Sequence, residues 1–215
     1  MTKLYVQFIV PLAVLIPIVA GFFYYRQFSP ALRIIFYYLC LAFAFNLSGV
    51  LFSRLHMNNM PLLHVYTVVE FACGLLFFAQ AMNSAVLRKS AWALVGVFAT
   101  LSILNTLFLQ SAFEMNSYPR SLEAALLIGL SLLFFYRSLA TKIEVLRKAF
   151  PLLWISTGFF FYFSGSLFLF LFPEFTHAEP GVYRLAWVIH ATLVLLMYVF
   201  ITIAFYLSRK KHEQL

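Results

Sequence analysis

The sequence contains no aspartate. All seven acidic side chains are glutamates, and charged residues of both signs make up only 10% of the 215 positions. Soluble domains carry about a quarter charged residues, and no stretch here is long or polar enough to form one. Cysteine is equally sparse. Cys40 and Cys73 both fall inside apolar runs, which excludes a disulfide framework and a cysteine metal motif. They read as small core residues. Lysine is missing from every apolar interior: Lys3, Lys89, Lys142, Lys148, Lys210 and Lys211 all lie at the ends of hydrophobic stretches. A retinal Schiff base therefore has no anchor. The chain also lacks H-E-x-x-H and any pair of histidines four residues apart.

What is present is hydrophobic: 64% of residues are apolar, with 27 phenylalanines. Apolar windows long enough to cross a bilayer recur along the whole length. The pattern predicts an all-α polytopic membrane protein, a single transmembrane domain of seven helices. The expected spans are Tyr5–Tyr25, Ala31–Phe52, Pro61–Met82, Ala91–Gln110, Ser121–Tyr136, Phe150–Phe172 and Val182–Leu207. Pro11 and Pro17 should kink the first. Its apolar run exceeds the h-region of a signal peptide and no clear A-x-A site follows, so it reads as a retained span. The net charge of +8 does not point to nucleic acid, because the basic residues gather at helix ends rather than in one patch.

Their distribution gives an orientation. Lys3, Arg54, Arg120 and Arg184 fall on one side. The other side holds Arg26, Arg33, Arg88, Lys89, Arg137, Lys142, Arg147, Lys148, Arg209, Lys210 and Lys211. By the positive-inside rule the N-terminus faces out and the C-terminus the cytoplasm, as expected in a plasma (inner) membrane. A faint internal echo accompanies this. Phe22-Phe23-Tyr24-Tyr25-Arg26 matches Leu133-Phe134-Phe135-Tyr136-Arg137, and Ser48-Gly49-Val50-Leu51-Phe52 matches Ser164-Gly165-Ser166-Leu167-Phe168. Pro61 and Pro180 open the third helix of each set, as a 3+1+3 internal repeat would require.

The polar residues of the spans concentrate in one half of the bilayer. Glu70 lies roughly 13 Å from the outer end of span three and His190 about 12 Å into span seven, at 1.5 Å per residue. His64, Asn46, Asn105, Arg120, Glu123 and Tyr183 join them in the outer half, with His56 in the loop before span three. On span seven, Tyr183, Trp187, His190 and Val194 share a face. A carboxylate in a membrane helix costs roughly 2.5–3.5 kcal/mol on insertion scales, so Glu70 needs compensation. These residues predict an outward-facing polar pocket that binds a small ligand, for sensing or transport. A sensor would need a cytoplasmic signalling partner. The alternative is an intramembrane zinc hydrolase acting on a lipid, with His64 and His190, joined by His56, as ligands and Glu70 as base or ligand. A bis-His haem between spans three and seven is a weaker option.

Seven spans with the N-terminus outside resemble rhodopsins in architecture, without their lysine. They also resemble the zinc-dependent seven-helix hydrolases of the adiponectin-receptor and ceramidase type. The Ser-x-x-x-His and His-x-x-x-His patterns and the Asp of those enzymes have no counterpart here. Sugar transporters with 3+1+3 repeats carry a Pro-Gln signature that is absent. The likeness is one of architecture only.

Overall fold

Among the described residues, seven helices are long and apolar enough to cross a membrane, and none of those residues forms a strand. A computed structural model describes residues 4–140, 143–171 and 180–209, with side chains at 4–6, 8–140, 149–171 and 181–209. Lys3, Lys142, Lys210 and Lys211, and Glu174, His177 and Glu179 between the last two expected spans, lie outside the described residues. The same is true of the side chains of Arg147 and Lys148. The architecture is that of a multi-pass membrane protein.

The first span, α1, is built in pieces: a π-helical turn Tyr5–Ile9, four residues Val10–Ala13 and a regular helix Leu15–Tyr24. Pro11 and Pro17 lack the N–H groups that a continuous α-helix would use. The chain widens into a π turn just before Pro11 and breaks at Val14. The remaining spans are α2 (Pro30–Arg54), α3 (Met60–Ala81), α4 (Ala85–Phe108), α5 (Ser117–Leu139), α6 (Ile143–Leu171) and α7 (Pro180–Ser208).

Starts are written in the local sequence. Pro30 opens α2 after Ser29, and Asn58 Oδ1 accepts the Met60 N–H at 2.8 Å at the start of α3. Ser84 Oγ accepts the Leu87 N–H at 3.2 Å, so α4 begins six residues before the expected Ala91. Arg88 and Lys89 thus stand on its first turns, exposed, where long basic side chains reach polar surroundings from a helix end. Helix α5 likewise begins at Ser117 rather than Ser121, with Pro119 in its first turn, so Arg120 is a helical residue and not a loop one. Helix α6 runs through Pro151.

Six helices close into a ring in the order α1, α2, α3, α5, α6, α7, and α4 packs outside it, mainly on α3. Half of the α3 window is buried, the largest share of any span. One end of the ring is filled by aromatic side chains. Phe77, Phe78 and Phe205 are fully buried. Phe159 lies edge-on to Phe77 and Phe78 at 5.7 and 6.2 Å, and Phe71 stacks on Phe98 at 4.2 Å. The other end, where α2 gives way to α3 and α4 to α5, is not filled.

Candidate functional site

The unfilled end is a cavity of about 880 Å³ between α1, α2, α3, α6 and α7, roofed on one side by the α4–α5 turn. That turn is held by side chains rather than by regular structure. His64 spans from α3 to Thr106 Oγ1 on α4 (Nδ1, 3.0 Å) and to the Glu114 carbonyl (Nε2, 3.2 Å). Asn116 Nδ2 donates to Thr67 Oγ1 at 3.1 Å, and Asn58 Nδ2 donates to the Phe113 carbonyl at 3.0 Å. Gln110 Oε1 accepts from Asn105 Nδ2 at 3.1 Å and from the Tyr118 N–H at 3.2 Å. The turn delivers the first residues of α5 to the cavity wall.

Arg120 is the side chain so delivered. Its Nη1 donates to Glu70 Oε2 at 2.6 Å and, more weakly, to Glu123 Oε2 at 3.5 Å. Its guanidinium lies between two rings, 5.5 Å from the centroid of Tyr66 and 5.3 Å from that of Phe170. Glu70 is compensated from three helices. Tyr38 on α2 donates to Oε1 at 2.7 Å, Tyr66 one turn back on α3 donates to the same oxygen at 3.1 Å, and Arg120 takes Oε2. Hydrogen bonds to a charged acceptor are the strong ones, and three of them answer the insertion cost. Glu123 is less well served: it is wholly buried and its Oε1 has no partner.

His190 stands across Phe170, 5.9 Å from that ring. It also meets Tyr162 and Trp187, each at 5.6 Å. Its Nδ1 is 3.1 Å from Ser166 Oγ, and that hydroxyl lies 2.7 Å from the Tyr162 carbonyl. The carbonyl can only accept, so the serine proton goes there. Ser166 therefore accepts from Nδ1–H, and the neutral ring keeps a bare Nε2.

The residues expected from the sequence separate into three groups. Arg120, His190, Asn46 and Tyr183 line the cavity; Asn46 lies beside the Tyr198 hydroxyl. Glu70 and Glu123 sit behind Arg120, buried away from the cavity. His64 and Asn105 do not line it either; they brace the α4–α5 turn. Trp187 and Val194, placed on the His190 face by helical spacing, do line it. The tyrosines at 38, 66, 162 and 198, all buried or half-buried and all lining the cavity, carried no signal in the sequence beyond Tyr66 standing one turn before Glu70.

The proposed zinc ligands do not form a donor set. His64 is spent on Thr106 and Glu114, His190 pairs with Ser166, and His56 is exposed on the loop with φ 55°. No group of three or more His, Cys, Asp or Glu able to hold a metal occurs among the described residues. Comparison with protein-family models, curated proteins and solved structures finds no match in any of the three.

Proposed function

We propose that this chain binds a small ligand in the cavity lined by Arg120 and His190, for sensing or transport across a plasma membrane. The observation that carries the reading is the cavity itself. At about 880 Å³ it falls within the roughly 300–1,000 Å³ of ligand pockets, and its few polar groups converge on mostly apolar walls, as such pockets do. It opens at the end carrying Arg54 and Asn59 and is closed below by the aromatic core. With the N-terminus outside, that opening faces outward. Transport draws support from α4 standing outside a ring of six helices, the arrangement a 3+1+3 repeat would give. Sensing would require a cytoplasmic partner.

Filling the cavity tests the reading. Val194→Trp places an indole on its wall. A compound screen by thermal shift in nanodiscs should find ligands that stabilise the wild-type protein and leave Val194→Trp unmoved. Identical responses in both proteins would refute binding in the cavity. Flux of a confirmed ligand into proteoliposomes would then separate transport from sensing.

A further inference from the structure

We propose that the cavity takes ligands with a carboxylate head, seated on Arg120, and that each ligand enters with one proton. The inference rests on the binding reading above and adds the ligand's chemical class and its linkage to protons.

The first argument is accessibility. Both carboxylates of the cluster are out of reach, Glu70 at 2% and Glu123 at 0% exposure. A cationic ligand entering the cavity meets neither. It meets the guanidinium. Arg120 uses only Nη1 on the protein: neither Nε nor Nη2 has an acceptor among the described residues, and neither is a buried orphan. Those donors remain for a ligand, in the fork that matches a carboxylate. The Tyr162 hydroxyl, with no hydrogen-bond partner among the described residues, lines the same cavity. The ligand-facing surface is thus rich in donors, with His190 Nε2 as its acceptor on the far side of Phe170.

The second argument is charge. With both glutamates ionised, two against one arginine give the cluster one negative charge in excess. A second anion beside it, in a medium where charges are poorly screened, needs a compensating cation. The groups around the cluster are Tyr38 from α2, Tyr66, Glu70 and Cys73 from α3, Arg120 from α5 itself, Tyr162 from α6, and His190 and Tyr198 from α7. Helix α4 adds none, since its Arg88 and Lys89 lie at the opposite end. Arg120 is the one fixed cation among them, so the charge that these groups themselves can add is a proton. Glu123 has the place for it, because its Oε1 is buried without a hydrogen-bond partner. The proton is taken from solvent onto that oxygen; no other bond changes.

Calorimetry in nanodiscs at pH 7, repeated in two buffers of different ionisation enthalpy, measures affinity and proton count together. Decanoate and benzoate are the carboxylate probes, one membrane-borne and one water-borne, and whichever binds identifies the source. Decanol, benzyl alcohol and decyltrimethylammonium are the controls, and Val194→Trp corrects for lipid partitioning. A carboxylate should bind at least about tenfold more tightly than its alcohol, the difference that about 1.4 kcal/mol of charge-assisted bonding makes, with about one proton taken up per ligand. Glu123→Gln should remove the proton uptake from whatever binding remains. Alcohol or ammonium binding as tightly as the acid, lost in Val194→Trp, would overturn the carboxylate assignment and leave the binding reading standing. Acid binding without proton uptake in the wild-type protein would overturn the proton linkage. The head-group comparison uses the unaltered chain, so it decides the matter even if Glu123→Gln fails to fold.

Discussion

Glu70 receives hydrogen bonds from three helices, and this makes it a fastening rather than a contact surface. Its partner Arg120 is the group that meets the cavity. Removing one member of such a buried pair leaves its partner's charge uncompensated, at a cost of about 3–5 kcal/mol, whereas removing both takes the pair's two charges away together. Arg120→Gln should therefore destabilise strongly, and Glu70→Gln with Arg120→Gln should cost less than the two single changes together. Unfolding titrations read as a double-mutant cycle measure this; additive effects would mean the pair does not couple. His64 makes the opposite case. It bonds Thr106 and the Glu114 carbonyl and stays off the cavity wall. His64→Ala should lower stability by about 1–3 kcal/mol, from partners left unpaired, while ligand affinity in the folded fraction is retained. A large affinity loss at unchanged stability would place His64 in the site after all. At this scale the sequence was informative about oddities: a Glu or His in an apolar run stands out on cost alone. It was silent about Tyr38, Tyr66, Tyr162 and Tyr198, because a tyrosine in such a run packs as well as a phenylalanine does.

Helices α6 and α7 show why single glycines matter to the site. A Cβ built at Gly165 would run into Leu193 Cδ1, and the next residue, Ser166, is the one that fixes His190. Gly165→Ala should destabilise by about 1–3 kcal/mol through overpacking. Leu193→Ala in the same chain should relieve part of that, since it removes the colliding Cδ1 methyl. Thermal unfolding of the single and double variants checks it; no relief would place the strain elsewhere. The helices themselves were largely visible in the sequence, because a run of apolar residues of bilayer length has few other fates. Their ends were not. Arg88, Lys89 and Arg120 look like loop residues by polarity, yet each lies on a first turn or the one after it. A long basic side chain can leave the helix axis sideways to find water or a partner. The π turn before Pro11 was foreseen only as a kink.

For the whole molecule, the expected orientation assigns eleven basic residues to the cytoplasm and four to the outside. A reporter joined after Ser208 should be active only as a cytoplasmic fusion, and one inserted in the α2–α3 loop only outside. The reverse pattern would turn the cavity inward. The count of spans was legible because each needs only length and apolarity. The ring was not, since nothing in a hydrophobic pattern says which helix neighbours which. That ring has a consequence for biogenesis. Helix α1 packs chiefly on α7, so the earliest of these seven spans meets its main neighbour last, after about 150 residues of synthesis, on the order of ten seconds or more. Arg120 and Glu70 can pair before then. Until α7 is inserted, the future cavity is a cleft with one wall missing, and α1, with its exposed Phe22 and Phe23, has only lipid and α2 to lean on. Assembly of the cavity is therefore completed only after α7 is inserted, and a nascent chain stalled before Pro180 would carry the buried ion pair but no chamber.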